Sequence, residues 1–470
     1  MEIEKSPSRR NFLKAAAAGS AWALVPGCGH GENDQPAQSP AAEPLGSPGL
    51  KINPPPLKTV RVGLVGAGER GAYLLQILLG IEDVHVNAVC DLVESKVARA
   101  QQLVVDRRRP KPEGYAGPKA DFRQLCQRDD VDLVINATPW QLHAQVCLAA
   151  LAAGKHVATE PPVATTVEQC WQEIEAAAKA NRHCTLLENY CYQREVMLVW
   201  NMVRQGLFGE IMHLEGGYQK DGRDSELRTA ADGSPGWRGQ FRKDRKGNVF
   251  PTHDVGPLSQ WLDINRGDRF EYLVSMGGNA RALNEYGAKH LGPDSYLATT
   301  HFDMSDINVS LLRTVKGRTV YLISDTLLSR PQPRNVYRLL GSKGIYDRTL
   351  DKIYLEGRSP QRDRWGGDWE PLAKYYNEFD HPLWRDLRSR ALGSGTGGSD
   401  YLCLYRLIHS LRGGTPPDID VYDAATWSSI VELSEKSAQG RSQAVDFPDF
   451  TRGQWKTMPP RSWEREQSGG

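Results

Sequence analysis

This sequence has almost no excess of either charge. Of its 470 residues, 58 are Lys or Arg and 57 are Asp or Glu, a formal charge of +1. Without a basic excess or long basic runs there is no electrostatic footprint for a phosphate backbone, so nucleic acid is not an expected partner. The expected substrate is a small, largely neutral molecule. Long apolar runs are also lacking: Ala15 to Val25 is the one near a terminus, and it falls short of the about 20 residues a spanning helix needs. Cysteine is sparse and scattered, at Cys28, Cys90, Cys126, Cys147, Cys170, Cys184, Cys191 and Cys403, with no Cys-x-x-Cys pair. That pattern supports neither a zinc ribbon nor a disulfide framework. His143, His253 and His301 have no ligand spacing, so no metal site is expected. What remains is an ordinary globular composition, 40% hydrophobic and 24% charged. At about 100–200 residues per domain it is long enough for two or three domains.

The first residues read as an address. Ser8-Arg9-Arg10-Asn11-Phe12-Leu13-Lys14, followed by mildly apolar Ala-rich sequence, resembles the twin-arginine signal that exports folded proteins. Val25-Pro26-Gly27-Cys28 is similar to a lipobox, in which Cys28 would carry a lipid anchor; the alternative is an incidental cysteine after a cleaved signal. Residues 29–58 are rich in Pro, Ala, Gly and Ser and read as a flexible tether. Without residues 1–28 the chain has 54 basic and 55 acidic residues, so the positive excess belongs to the export segment. The expected location is periplasmic or otherwise extracytoplasmic, with the twin-arginine machinery as a partner.

Thr59 to Val65 is a strand-like run leading into Gly66-Ala67-Gly68-Glu69-Arg70-Gly71, after which helical periodicity begins. In such a turn the first Gly makes the bend, the second lets backbone approach a pyrophosphate and the third permits close packing of helix on strand. A second strand, Val84 to Cys90, ends in Asp91, 25 residues after Gly66. A carboxylate there accepts from the adenosine ribose hydroxyls and favours NAD over NADP. The alternation continues through a strand at Val131–Pro139, a helix at Gln141–Ala153, a strand at Lys155–Glu160 and a helix at Thr166–Asn181. It predicts a doubly wound parallel sheet of Rossmann type over residues 59–185. Ligands bind beyond the carboxyl ends of such strands, where Trp140, His143, Glu160 and Asn189 project.

From residue 186 the pattern changes. A helix to about Arg204 precedes longer alternating strands at Gly209–Gln219, Arg269–Ala280, His301–Thr314, Arg318–Thr326 and Asn335–Tyr346, and the last third returns to helices. This predicts an α+β domain, residues 186–455, with a mostly antiparallel open sheet and C-terminal helices that can pack back on the first domain, then a tail at 456–470.

This two-part plan resembles the glucose–fructose oxidoreductase/inositol dehydrogenase (Gfo/Idh/MocA) family. Those enzymes carry Glu-Lys-Pro after the fifth strand, where this chain has Glu160-Pro161-Pro162. A closer resemblance, through Thr159–Trp171, Leu187-Glu188-Asn189, Gln205–Ile211, Asn248–Pro257, Asn265–Phe270 and Asp420–Asp423, is to the NAD-dependent glycosidases of glycoside hydrolase family 109, which act on α-N-acetylgalactosaminides. By that resemblance Glu69, Arg70, Asp91, Trp140 to His143, Glu160, Pro161 and Asn189 contact NAD, while Tyr218, Arg238 and the segment Phe250, Thr252, His253 face the sugar. Departures fall in the same places: Phe250 stands where the family pattern has Tyr, Gln332 where it has a second Tyr with Tyr337 nearby, and Thr396-Gly397-Gly398 where it has His-Gly-Gly.

The implied chemistry oxidises the sugar at its 3-position, eliminates the aglycone, adds water and reduces the sugar again, with NAD tightly bound and recycled. His253 is the expected base, because imidazole exchanges protons near neutrality, with Tyr337 and Tyr218 as phenolic helpers. Trp237 either stacks on a sugar or anchors a loop. Two other readings stay open: a sugar oxidoreductase producing 3-keto-sugars, and an NAD-bound carbohydrate-binding protein without turnover. By analogy with the family, homo-oligomers form through the open sheet.

Overall fold

The computed structural model describes residues 52–117, 120–226, 236–331, 334–364 and 366–461. The export segment, Cys28, most of the tether, Gln332 and the end of the tail lie outside the described residues.

The first half runs β1 (Val60–Val65), α1 (Glu69–Leu78), β2 (Val84–Asp91), α2 (Glu94–Asp106), β3 (Glu113–Ala116), α3 (Phe122–Cys126), β4 (Leu133–Asn136), α4 (Trp140–Ala152), β5 (His156–Thr159), α5 (Val167–Ala180) and β6 (Cys184–Leu186). These strands pair in parallel in the order β3-β2-β1-β4-β5-β6. The order reverses between β1 and β4, and a crevice lies beyond their carboxyl ends. Every residue of β4 and β5 is buried, as helices on both faces of a parallel sheet require. β3 adds to the expected strands; Glu113-Gly114-Tyr115-Ala116 is a partly exposed edge strand with almost no hydrophobic signal.

The second half runs α6 (Arg194–Arg204), β7 (Ile211–Gln219), α7 (Trp237–Lys243), α8 (Pro251–Leu262), β8 (Phe270–Gly277), β9 (Ile307–Thr314), β10 (Thr319–Asp325), β11 (Arg334–Gly341), β12 (Gly344–Asp347) and β13 (Lys352–Leu355), then α9 (Ser399–Gly413) and α10 (Val421–Gln439). The seven strands and two short edge strands, Glu370–Pro371 beside β13 and Val445–Asp446 beside β8, build one sheet with the interior order β13-β12-β11-β7-β10-β9-β8. It is antiparallel except where β7 meets β10. The strand expected at His301–Thr314 starts only at Ile307, and the one at Arg269–Ala280 stops at Gly277. Between them Asp306 accepts from the Arg281 and Ala282 N–H groups at 2.8 and 2.9 Å, which starts a helix over Ala282–Leu291.

The C-terminal helices lock the halves together. α10 begins with a capping box, Asp420 and Asp423 each accepting from the other's backbone N–H. Its hydroxyls reach both sides: Val163 N–H donates to Ser428 at 2.9 Å, and Ser275 N–H to Ser437 at 2.7 Å. One apolar core runs from Val60 to Phe450 through both sheets. The order is tighter than expected at each end. Leu57, within the predicted tether, donates its N–H to the Leu411 carbonyl at 3.0 Å. Arg461, within the predicted tail, is buried and pairs with Asp423 at 2.5 Å. The seven described cysteines are all buried, unpaired thiols.

Candidate functional site

The glycine turn shows why each glycine is there. Gly66 sits at φ +90°, and a Cβ on it would lie 2.6 Å from the Ala137 carbonyl oxygen; on Gly71 a Cβ would lie 1.8 Å from the Gly66 oxygen. At Gly68 a Cβ would meet nothing within 4 Å, so the N-terminus of α1, which has no side-chain cap, is left uncovered. Glu69 opens the helix. Uncovered amides at a helix start attract a diphosphate. Asp91 stands at the mouth of this turn, its carboxylate accepting from Ala67 and Val93 N–H, each at 2.9 Å. Turn and carboxylate together fit NAD.

Arg70 does not hang free in the crevice. Its guanidinium forks onto Glu160 at 2.8 and 3.0 Å and reaches Asp400 at 2.7 Å, and Asn189 donates to the same Asp400 oxygen at 3.0 Å. Four segments, α1, the end of β5, the turn after β6 and α9, are thus tied around the crevice. Burial raises the proton affinity of Glu160 and Arg70 opposes it. Pro161 joins Pro162 through a cis bond. His143 is buried, with its two ring nitrogens 2.6 Å from the Pro162 carbonyl and 2.8 Å from the Thr138 carbonyl, so it holds the loops after β4 and β5 to each other.

The other wall comes from the second sheet. Strand alternation sends Gly216, Tyr218 and Lys220 to the face under α8: a Cβ on Gly216 would touch Leu258 and Asp254, and Lys220 Nζ lies 5.1 Å from the Tyr218 ring centre. Pro251 starts α8 and places His253 in its first turn. Glu188, fully buried, receives His253 Nδ1 at 2.7 Å. A carboxylate only accepts, so Nδ1 carries a proton, and in the neutral ring Nε2 is the accepting nitrogen. The imidazole lies 4.3 Å from the Tyr190 ring, 4.6 Å from Tyr218 and 6.4 Å from Phe250. Trp140 joins this group, 5.0 Å from Phe250 and 4.7 Å from Trp237, with the Arg238 guanidinium 4.8 Å above it. Tyr190 hydrogen-bonds Tyr218, and burial pushes the Tyr218 phenol up to about 12. At neutral pH it is a hydrogen-bond donor.

Tyr337 requires a correction. Expected as a phenolic helper, it is fully buried and its hydroxyl donates to the His253 carbonyl at 2.6 Å. The reason is local: Pro257, inside α8, has no N–H to give the carbonyl four residues back, which is that of His253. Thr252 is buried too. Tyr218, Arg238, Phe250, His253 and Trp140 are brought together, and Tyr337 lies behind His253. Sequence reasoning overlooked Glu188, Tyr190, Lys220 and Asp400. Glu188 alone left a signal, an acid directly after the apolar Leu186-Leu187.

Residues 60–188 match the family model of the oxidoreductase family with an NAD-binding Rossmann fold, and residues 192–457 that of the glycosyl hydrolase 109 C-terminal domain. The chain is 39% identical over 456 residues to the alpha-N-acetylgalactosaminidase of Shewanella oneidensis, covering 96% of this chain and 98% of that one. It is 38% identical, with the same coverage, to glycosyl hydrolase family 109 protein 1 of Shewanella sp. strain MR-4. Among solved structures, levoglucosan dehydrogenase in complex with NADH and levoglucosan superposes with a TM-score of 0.62 at 20% identity, over 83% of this chain and all of that one. The scyllo-inositol dehydrogenase of Lactobacillus casei gives 0.56 at 16% identity, over 83% and 98%.

Proposed function

Because the chain belongs to the glycosyl hydrolase 109 family, we propose that it is an exported NAD-dependent glycosidase that cleaves its glycoside without net oxidation. The observation that carries this reading is His253, whose Nε2 has no hydrogen-bond partner among the described residues and whose Nδ1 is fixed by buried Glu188. Gly66, Gly68, Asp91 and Asn189 would hold NAD, which when bound would supply a reversible acceptor for the hydrogen at the sugar's 3-position. His253 takes the 3-hydroxyl proton. The resulting ketone makes the 2-proton acidic; its loss expels the aglycone, water adds across the double bond, and the 3-position is reduced again. Glycoside and water thereby become free sugar and aglycone, and no pair of flanking carboxylates is needed. Tyr218, protonated at neutral pH, donates to a sugar oxygen, and Trp140 and Phe250 give the ring an apolar floor.

The twin-arginine pattern at Arg9-Arg10 supports the same reading. A dehydrogenase outside the cytoplasm has no pool to reoxidise its cofactor, whereas a redox-neutral cycle on bound NAD needs none. The test is incubation with aryl α- and β-glycosides in deuterated water, followed by NMR. Aglycone release with deuterium at the 2-position is the expected result. A keto-sugar without cleavage would establish a sugar oxidoreductase instead, and sugar binding without either product a non-catalytic receptor.

A further inference from the structure

Charge around the aromatic wall does not balance. Lys220, Arg238 and Arg242 converge there, and the carboxylates acting on them among the described residues are Glu226 and, for Arg238, Glu160, which Arg70 already holds. Glu226 is already engaged: Arg242 Nε donates to it at 3.2 Å, while Arg242 Nη2 donates to Thr326 at 2.7 Å. Lys220 and Arg238 have no ion-pair partner among the described residues. Both are partly exposed, and both lie against rings: Lys220 Nζ is 5.1 Å from the Tyr218 centre and 5.6 Å from Phe250, and Arg238 is 5.7 Å from Phe250 and 4.4 Å from Trp237. Burial, with Arg238 next, brings the Lys220 ammonium down to about 8. Two half-buried like charges that share one ring, Phe250, are costly unless an anion offsets them.

The rings that carry Lys220 also touch His253, so this excess charge is one aromatic side chain from the reacting end of the sugar. Phe250 is the residue shared by both cations, and it offers them a π face with no hydroxyl. A guanidinium and an ammonium together match a carboxylate or sulfate oxygen pair. We propose that Lys220 and Arg238 form a subsite for an acidic substituent of the sugar, so that this enzyme prefers a uronide or a sulfated glycoside to a neutral one. The proposal rests on the glycosidase reading above. A whole-chain charge near zero conceals it, because the excess is local.

The test uses the NAD-loaded protein with three substrates: 4-nitrophenyl α-galactoside, its 6-sulfate and 4-nitrophenyl α-galacturonide. A kcat/KM about tenfold or more higher for an acidic substrate is expected, the scale of one charge-assisted hydrogen bond. Whether the galacturonide or the 6-sulfate leads identifies the anion. Lys220→Gln and Arg238→Gln should each cut the acidic-to-neutral ratio by about the same factor, and Lys220→Arg should retain most of it. Equal rates on all three, or a preference that survives both glutamine variants, would overturn the subsite. Should no glycoside be cleaved, the glycosidase reading fails separately, and calorimetry decides the subsite. Galacturonate or galactose 6-sulfate must then bind more tightly than galactose, with the difference lost in Lys220→Gln; equal affinities would refute it.

Discussion

His253 depends on two neighbours that do different work. Glu188 fixes its tautomer and ring plane through Nδ1, and Tyr337 occupies the carbonyl that Pro257 leaves without a helical partner. The two substitutions should therefore fail differently. Glu188→Gln keeps the shape but allows the other tautomer; the loss of an orienting carboxylate from such a pair costs on the order of 10²–10⁴ in kcat. It should leave KM nearly unchanged and leave NAD bound. A KM effect without a kcat effect would remove Glu188 from its assigned role. Tyr337→Phe leaves a buried carbonyl unsatisfied, about 1–3 kcal/mol. That loss should appear as a lowered Tm with a kcat much less affected than in Glu188→Gln; a kcat loss of equal size would return Tyr337 to catalysis. The imidazole was legible in Pro-Thr-His. Its pairing with Glu188 was not, because the partners stand 65 residues apart and only the packing of α8 on the turn after β6 brings them together.

At the scale of elements, α5 shows what periodicity reveals and what it hides. Cys170, Glu173, Ile174 and Ala177 form its buried face, so an acid occupies a core position of a helix that the apolar spacing places correctly. Neither Glu173 oxygen has a hydrogen-bond partner, and burial, with Cys147 adding to it, pushes its proton affinity well above the ordinary carboxylate. The folded chain holds that proton, whereas the unfolded chain releases it at about pH 4.3. Stability on this account is full below that pH and declines as pH rises toward the folded value, by up to about 1.4 kcal/mol per pH unit. Glu173→Gln, which keeps the neutral shape, should raise stability at pH 7 and change little at pH 4 when both proteins are unfolded in urea. An equal shift at both pH values would show that the charge is not the cause. The strands were readable where both faces are covered, as at β4 and β5, since Leu133-Val134-Ile135 and Val157-Ala158 are unbroken apolar runs. They were not at β3, whose edge position asks little of its side chains, or at 278–306, where Asp306 starts a helix through backbone bonds that no hydrophobic pattern announces.

Across the whole molecule, the cofactor crevice is closed by contacts between parts far apart in sequence. Arg70 joins Glu160, at the carboxyl end of β5, to Asp400 of the C-terminal helices, Asn189 completes the ring, and α10 runs from the α5 side to β8. The glycine turn and Asp91 were legible because their geometry is local. This ring was not, since its members are up to 330 residues apart. A crevice clamped from both halves should release its occupant slowly, as a recycled cofactor requires. Wild-type protein should therefore keep NAD through gel filtration, and adding NAD should leave its Tm unchanged, because a saturated site gains little from more ligand. Arg70→Ala leaves Glu160 and nearly buried Asp400 facing each other without a cation. That variant should lose NAD on the column, melt lower, and recover Tm as NAD is added back. A wild-type Tm that climbs with added NAD would mean the cofactor exchanges freely, and the clamp would then have no part in holding it.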